Sequence, residues 1–291
     1  MMTMEDIVDK SECGKLYLCA TPIGNLEDMP VRAIRVMKEA DIVAAEDTRN
    51  SIKLMNHFGI NTPMTSYHEY NKVDKAVYLV DKMRKGQNVV LITDAGTPGI
   101  SDPGEELVRQ AAEAGIEVIS VPGPVACISA LIISGLPTRR FVFEAFLPSE
   151  KKERQTILRE LKNETRTIIL YEAPHHLVKT LNELKDTLGC ERKAAVCKEL
   201  TKKHESVYRA TLGEAADYYS INEPRGEYVI VVEGIERKKL IEDEQNRWQK
   251  MSVEEHMSYY MAKGIDKKEA MKLVARDRGV SKREIYAQVN V

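Results

Sequence analysis

The sequence predicts an α/β protein with two α/β domains and a small helical C-terminal domain. Short apolar runs alternate with helical patterns between residues 15 and 135, and the alternation resumes after a crossover near residue 148. The apolar run at 89–92 stops at a turn, 93–104, that contains three glycines, two prolines and two aspartates. Strands alternating with helices are typical of a mostly parallel sheet covered on both faces, and such a turn at a strand's carboxyl end is typical of a ligand site.

The first predicted domain covers residues 14–136. Gly115 stands just past one of its helices, where a helix-ending glycine is expected. The patterns predict strands at 16–20, 42–45, 89–92 and 118–121, and helices at 31–39, 48–58, 72–85, 105–114 and 125–134.

The second predicted domain covers residues 137–235, and residues 137–148 are interpreted as the crossover into it. The spacing of its strands predicts more antiparallel pairing than in the first domain. The patterns predict strands at 167–171, 194–198, 205–210 and 228–232, and helices at 150–163, 174–188 and 213–219. We expect the ligand loops of the first sheet to face a cleft between the two domains.

The C-terminal domain, 245–291, follows a charged stretch, 236–250, that is interpreted as a linker. Three capping signals predict three short helices: Ser252 with Glu255, Asp266 with Glu269, and Ser281 with Glu284. Residues 245–291 contain ten Lys/Arg and six Asp/Glu, a net charge of +4. This pattern favours equally a helix-turn-helix-like nucleic-acid contact and a small helical cap with a solvated face.

Composition narrows the class of protein. The net charge of −2 gives no global sign of nucleic-acid affinity, and no apolar run approaches the ~20 residues of a membrane span. The N-terminus lacks the pattern of a secretory signal, so we expect a cytoplasmic protein that does not engage a membrane. The five cysteines form no C-x-x-C pair, which indicates reduced thiols and no metal site.

Several known ligand motifs are missing from the sequence. It contains no G-x-G-x-x-G, no G-x-x-x-x-G-K-[ST] and no G-x-S-x-G. Their absence argues against dinucleotide enzymes, P-loop NTPases and hydrolases with a nucleophile turn.

Polar residues at other strand ends are candidates for chemistry. Glu46, Asp47 and Arg49 follow the second strand, where a carboxylate can cap the next helix and an arginine can bind a carboxylate or a phosphate. The loop 198–204 contains Lys198, Lys202 and Lys203 and is either a solvated surface or a contact to backbone phosphates.

Two further turns could assist a ligand. His68 lies between two tyrosines in a segment that could stack or position a base, although packing of the tyrosines explains it equally well. The turn after the strand at 118–121, Pro-Gly-Pro-Val-Ala, presents a helix N-terminus that suits a carboxylate or another anion.

Six of these segments, taken together and in order, carry a resemblance to a known family. They are Thr21-Pro-Ile-Gly-Asn-Leu26, Ala45-Glu-Asp-Thr-Arg49, residues 93–104, Val121-Pro-Gly-Pro124, Tyr171-Glu-Ala-Pro174 and Lys198-Glu-Leu-Thr-Lys202. The chain resembles the tetrapyrrole methylase superfamily over about residues 15–234, and within it the ribosomal RNA small subunit methyltransferase I family. The first turn departs from the G-x-G-P-G-D of the porphyrin methylases, a departure shared by the RNA-modifying branch.

The resemblance implies that S-adenosylmethionine lies folded in the cleft between the two domains. It also implies transfer of the methyl group to the ribose 2′-OH of a cytidine in 16S rRNA of the 30S subunit, and a homodimer. By motif position, the residues implied to bind the cofactor are Pro22, Asp94, Ala95, Gly96, Thr97, Ile100, Val125, Ala126, Tyr171, Leu200 and Gly226. His68, Lys198, Lys202 and Lys203 are the residues expected to contact RNA.

The chemistry leads to a hypothesis for catalysis. A ribose hydroxyl is a poor nucleophile, so a nearby base should help, and we assign Glu46 or Asp47 as that base with Arg49 on the adjacent phosphate. Two alternatives stay open: a tetrapyrrole methylase of the same fold, and a ribosome-binding protein without catalysis. Intact glycines in 93–104 argue against the second, because a lost activity would allow bulky residues there.

Overall fold

The computed structural model describes residues 13–289, and its first sheet holds five parallel strands in the order β3-β2-β4-β1-β5. Its strands are β1 Leu16–Cys19, β2 Ile42–Ala45, β3 Met64–Ser66, β4 Val89–Ile92 and β5 Val118–Val121. The helices that follow them are α1 Val31–Glu39, α2 Thr48–His57, α3 Lys72–Arg84, α4 Gly104–Glu113 and α5 Ala126–Ser134. The predicted parallel sheet is confirmed.

Both faces of this sheet are buried, as its continuous apolar strands require. On one face Val89 and Leu91 pack with residues of α3 and α4, and on the other Val90 and Ile92 pack with residues of α1 and α2. All four residues of β4 are buried, so β4 is the centre of the first core.

The second sheet has five strands in the order β6-β7-β10-β8-β9, and only the β6–β7 pair is parallel. Its strands are β6 Phe141–Phe146, β7 Thr167–Glu172, β8 Lys193–Lys198, β9 Ser206–Thr211 and β10 Tyr228–Val232. One face packs against α6 Lys151–Leu161, α7 Pro174–Leu188 and α8 Leu212–Ile221, and the other packs against α5. The expected antiparallel character is confirmed. We call the first sheet with α1–α5 the first half of the molecule and the second sheet with α6–α8 the second half. The helix α5 joins the two halves because it packs on the second sheet.

Three elements differ from the sequence prediction. The pattern missed β3, whose three residues are only partly buried, and it missed β6, which lies inside the segment interpreted as a crossover. The linker interpretation of 236–250 was wrong, because α9 Arg237–Gln249 is a helix. Its residues are mostly strong helix formers, and Lys238 pairs with Glu242 one turn later at 3.7 Å.

The C-terminal module consists of α9 with α10 Val253–Met261, α11 Lys267–Arg278 and α12 Lys282–Val289, which confirms the three predicted tail helices. Ser252 and Glu255 form a reciprocal capping box, and Asp266 caps α11. The helices α10, α11 and α12 share an apolar cluster of their own, which includes Met257 and Val274. The residue limits proposed for the three domains stay predictions. Within residues 13–289, none of the helices combines the length and the apolar character that a membrane span needs.

Candidate functional site

A cavity of about 540 Å³ is lined by residues from both halves of the molecule. Its walls are formed by residues that follow β2, β4, β7 and β8 and by residues that flank the start of β10 and α5. Carboxyl ends of strands are where α/β proteins bind ligands, and a cavity of roughly 300–1,000 Å³ is typical of a small-molecule site. The lining residues are Ile23, Glu46, Thr93 to Thr97, Ile100 to Asp102, Val125, Ala126, Phe146, Tyr171 to Pro174, Leu200 and Glu227 to Val229.

Most residues proposed for the cofactor line this cavity. They are Asp94, Ala95, Gly96, Thr97, Ile100, Val125, Ala126, Tyr171 and Leu200. Pro22 and Gly226 do not line it and instead lie beside residues that shape its walls. Pro22 follows Thr21, whose backbone pairs with Gly96, and Gly226 precedes the lining residue Glu227.

The glycine-rich turn is held from two neighbouring segments. The amides of Thr21 and Gly96 donate to each other's carbonyl oxygens at 2.9 and 3.0 Å, and the Thr97 hydroxyl donates to the carbonyl of Pro124 at 3.0 Å. Gly96 has a left-handed φ of 85°. A glycine is needed for this conformation, and its missing side chain leaves the backbone open beside Ile23.

The second half of the same turn is organised by one carboxylate. Asp102 accepts hydrogen bonds from the backbone N–H of Gly99 at 2.8 Å, of Gly104 at 2.7 Å and of Ile100 at 3.3 Å. A Cβ on Gly104 would lie 2.7 Å from the Asp102 carboxylate, so a glycine is required there. Ser101 takes a left-handed φ of 61° in this tight loop. The loop is therefore shaped before any ligand binds.

The three residues proposed for catalysis separate at the turn after β2. Glu46 lines the cavity and accepts a hydrogen bond of 2.9 Å from the Thr93 hydroxyl. Asp47 caps α2, and Arg49 donates to both of its carboxylate oxygens at 3.1 and 2.8 Å. The Arg49 guanidinium lowers the pKa of Asp47 to about 2. Asp47 and Arg49 do not line the cavity, although the Asp47 N–H donates to the lining residue Asp94 at 3.1 Å.

Tyr171 forms part of the cavity wall that the second half contributes. Its hydroxyl accepts a hydrogen bond of 3.2 Å from the backbone N–H of Cys127 in the first turn of α5, which links the two halves. Burial raises the pKa of this hydroxyl, so it stays protonated at neutral pH. The rings of Phe143 and Phe146 contact the Tyr171 ring edge-to-face, with centroids at 4.9 and 5.6 Å.

Glu172, the next residue, is buried and satisfied by a fixed network. It accepts hydrogen bonds from the Thr180 hydroxyl at 2.5 Å and from the Ala173 N–H at 2.8 Å. Arg154, also buried, donates to Thr180 and pairs with Glu183 at 2.6 Å. Buried charge of this kind is stable only when paired, so the network holds the strand end in place.

In the loop after β8, Lys202 is held in two ion pairs, whereas Lys203 is exposed to solvent. The Lys202 ammonium pairs with Glu199 at 2.9 Å and Glu227 at 2.8 Å, so a phosphate would have to compete with two carboxylates. Its stem packs on the first turn of the other half, because a Cβ on Gly24 would lie 2.4 Å from Lys202 Cγ. Lys203 is exposed and Lys198 is half-buried.

His68 is half-buried and lies in the segment after β3. The neighbouring Tyr67 is buried, and its hydroxyl donates to the Pro103 carbonyl at 3.0 Å, which ties this segment to the glycine-rich turn. Packing therefore explains Tyr67, whereas Tyr70 is exposed.

The charge of the cavity is strongly one-sided. Its lining contains five acidic residues: Glu46, Asp94, Asp102, Glu172 and Glu227. Among the residues that the model describes, no lysine or arginine lines it. Such a cavity is suited to a ligand with positive charge.

Some lining residues were outside the sequence prediction. Phe146, Glu227, Tyr228 and Val229 were not proposed, and Thr93, Ser101, Asp102 and Glu172 stood in quoted motifs without a role. A signal for Phe146 was present: aromatic residues at 141, 143 and 146 break the two-residue period of a regular strand.

The cleft and the two sheets define the class of protein. The family model described as "Tetrapyrrole (Corrin/Porphyrin) Methylases" matches residues 15–216. Among solved structures, uroporphyrin-III C-methyl transferase from Thermus thermophilus, complexed with S-adenyl homocysteine, is similar with a TM-score of 0.54 and 21% identity. The match covers 76% of this chain and 97% of that one, and it shows the fold.

Curated relatives narrow the class. The chain is 48% identical over 286 residues to "Ribosomal RNA small subunit methyltransferase I" of Halalkalibacterium halodurans, with 98% of each chain covered. It is 45% identical over 277 residues to the protein of the same name from Bacillus subtilis, with 95% of this chain and 94% of that one covered. The chain belongs to the ribosomal RNA small subunit methyltransferase I family, which confirms the resemblance drawn from the six motifs.

Proposed function

We propose that this protein transfers the methyl group of S-adenosylmethionine to the ribose 2′-OH of a cytidine in 16S rRNA of the small ribosomal subunit. The observation that carries the proposal is the acidic cavity at the strand ends, with the glycine-rich turn as one wall. The relatives' shared name, over nearly the whole chain, supports rRNA as the substrate.

The chemistry of the cavity supports S-adenosylmethionine as the cofactor. The cofactor carries a sulfonium and an ammonium against one carboxylate, and it supplies a methyl carbon already activated for attack. Of the five lining carboxylates, Glu227 is paired with Lys202, and the other four would offset that positive charge. The N-terminus of α5 at Val125 and Ala126 suits the methionine carboxylate. Asp94 to Thr97 and Ile100 would hold the methionine and ribose portions, and Tyr171 and Leu200 would enclose the adenine. Pro22 and Gly226 would support these walls through their chain neighbours, Thr21, which pairs with Gly96, and Glu227, which lines the cavity.

Glu46 is the base that the site favours. The Glu46 carboxylate would accept the proton of the attacking 2′-hydroxyl, and S-adenosylmethionine, when bound, would supply the activated methyl group. Asp47, with a pKa of about 2, is a weak base and serves as the cap of α2 and the anchor of Arg49. Arg49, whose side chain is 88% exposed, can turn toward an incoming phosphate.

RNA contact is proposed for the loops at the rim and for the basic C-terminal module. Lys198, Lys203 and His68 would contact the RNA directly, and Lys202 would hold the loop between the two halves. In the C-terminal module the exposed cations Lys267, Lys268, Lys282 and Arg283 lie on α11 and α12, the two helices joined by a glycine turn. Exposed cations on two helices joined by a glycine turn suit contact with the phosphates of RNA.

We also propose a homodimer that acts in the cytoplasm, both of which the family resemblance implies. Light scattering on the purified chain tests the dimer directly.

The deciding experiment incubates the protein with labelled S-adenosylmethionine and undermodified 30S subunits and maps the labelled nucleotide. We expect label on the 2′-oxygen of one cytidine of 16S rRNA. Label on a tetrapyrrole acceptor offered in parallel, with none on RNA, would instead support a methylase of the porphyrin type. Calorimetry that detects 30S binding but no S-adenosylmethionine binding would support a ribosome-binding protein without catalysis.

A further inference from the structure

We propose that the ring of Phe146 stacks on the base of the nucleotide that accepts the methyl group. The inference rests on the proposed function and adds to it a nucleobase subsite at the rim of the same cavity. Three linked features of the chain lead to it: a bulge, an exposed ring and the position of that ring relative to the buried wall of the cavity.

The bulge lies in β6, at the edge of the second sheet. β6 and β7 pair in register from Phe141 with Thr167 to Phe143 with Ile169, and the next paired residues are Phe146 and Tyr171. Three steps along β6 therefore correspond to two steps along β7, so β6 carries one extra residue. Ala145 absorbs it with a left-handed φ of 52°. Side chains other than glycine are strained in this conformation, and strain of this kind concentrates at functional sites.

The extra residue decides which face Phe146 occupies. In a regular strand Ala145 would pair with Tyr171, and Phe146 would point to the opposite face, where α6 to α8 cover the sheet. With the bulge, Phe146 shares the face of Tyr171 and lines the cavity. Bulges next to active sites commonly re-aim a side chain in this way.

The ring is exposed and is held on one side by another aromatic ring. Phe146 is 56% exposed, although a phenylalanine of this edge strand could have been buried on the other face. Its edge-to-face contact with Tyr171 constrains the ring from one side. Tyr171 is in turn held by Phe143 and by the Cys127 N–H. An exposed aromatic ring that is held on one side can cover a flat apolar ligand with its free face.

The position of the ring favours the acceptor base over the adenine of the cofactor. Of the two residues proposed to enclose the adenine, Leu200 is only 7% exposed and Tyr171 is half-buried, whereas Phe146, whose ring contacts Tyr171, is 56% exposed and so lies on the solvent side of that wall. The second substrate has to enter from this side. Proteins that select single RNA nucleotides commonly splay the base out and stack it on an aromatic side chain.

The test measures methyl transfer to undermodified 30S subunits at saturating S-adenosylmethionine, and in parallel cofactor binding by calorimetry. We expect Phe146→Ala and Phe146→Leu to lower kcat/KM for 30S by about 5- to 150-fold, mainly through KM, because one stacked base is lost. Phe146→Tyr keeps a ring and should stay close to wild type. In all three variants the Kd for the cofactor should stay within about twofold.

Phe141→Leu is the matched control, because Phe141 is an exposed phenylalanine of the same strand that does not line the cavity. It should leave both measurements unchanged. If Phe146→Ala and Phe146→Leu transfer methyl like the wild type, or if cofactor binding weakens as much as kcat/KM, the nucleobase subsite is wrong. If the wild type itself transfers no methyl to 30S, the proposed function fails first and the subsite fails with it.

Discussion

The Thr93 hydroxyl donates a hydrogen bond of 2.9 Å to Oε2 of Glu46, and this bond joins the ends of two neighbouring parallel strands, β4 and β2. It fixes a carboxylate in the cavity wall beside the glycine-rich turn. A base must be held within hydrogen-bonding reach of the proton that it removes, and this bond supplies the orientation.

Glu46→Gln should therefore lower kcat by about 10²- to 10⁴-fold, because the amide keeps the shape but cannot take the proton. Cofactor binding should weaken much less than kcat, because Glu46 is one of several lining carboxylates. Asp47→Asn is the matched control, since it makes the same change one residue later on a carboxylate bonded to Arg49. Methylation of 30S subunits under saturating conditions measures kcat for each of the two variants. Equal losses of kcat in both variants would contradict the assignment of Glu46 as the base.

Asp102 gives the second prediction. Asp102→Ala leaves three backbone N–H groups of the 99–104 loop without their acceptor, so the loop loses its shape before the cofactor arrives. Hydrogen bonds to a charged group contribute roughly 1.5–3 kcal/mol, so cofactor affinity should fall by about 10- to 100-fold. Titration calorimetry with S-adenosylmethionine measures the change.

Glu105→Ala provides the control for Asp102, because Glu105 is an exposed carboxylate of the adjacent first turn of α4. It should bind the cofactor like the wild type. An Asp102→Ala protein with unchanged affinity would show that the loop does not depend on this carboxylate.

The sequence predicted the parts of this molecule that depend on local pattern. The buried run of β4 indicated a central parallel strand because a strand covered on both faces has no polar side. The failure at β6 has the opposite cause: an extra residue breaks the period, so the strand resembles a loop. The helix α9 was missed because its charged composition is also typical of a linker.

The sequence predicted which residues lie near the site but not which of their side chains face the cavity. Glu46 and Asp47 are adjacent acids at one strand end, and only the fold shows that one faces the cavity while the other caps a helix. Lys202 has a nearby partner, Glu199, three residues before it, and a second partner, Glu227, 25 residues away that no local pattern reveals. Contacts between distant segments decide such roles, and a local pattern does not contain them.

Gly226 gives the third prediction. Its φ of 86° is left-handed, and a Cβ would lie 2.6 Å from the Glu199 carboxyl group, which pairs with Lys202. Gly226→Ala should combine backbone strain of roughly 1–2 kcal/mol with displacement of Glu199. We expect a lower Tm and weaker cofactor binding, because Leu200 follows Glu199 in the cavity wall.

Gly264→Ala isolates the strain, because Gly264 has a similar left-handed φ, 81°, but a Cβ there meets nothing within 4 Å. Thermal unfolding and calorimetry of the two variants should give a lower Tm for both and weaker cofactor binding for Gly226→Ala alone. If the two variants bind the cofactor with the same affinity, the contact between residue 226 and Glu199 does not affect the cavity wall.

The last prediction concerns the pH dependence of the C-terminal module. His256 is buried there, with its ring stacked on that of Trp248 at 4.0 Å, Arg278 on one side and Asp277 on the other. Burial, together with the Arg278 charge, lowers the pKa of His256 below its usual 6.5 although Asp277 acts in the opposite direction. The unfolded chain therefore binds this proton more readily than the folded module. The contribution of neutral His256 to the free energy of unfolding is therefore complete above pH 6.5, and it is lost as the pH falls from there toward the lower pKa of the folded state.

Trp248 is the only tryptophan in the sequence, so its fluorescence reports the unfolding of this module. Thermal melts between about pH 8 and about pH 5, where histidines titrate, should show a falling Tm in the wild type. His256→Gln removes this titration and leaves the other five histidines in place, so its Tm should depend less on pH even if it is lower throughout. The same slope in both proteins would assign the pH dependence to groups other than His256. A flatter slope in the variant would identify a neutral, stacked histidine as the residue that couples folding of the basic module to pH.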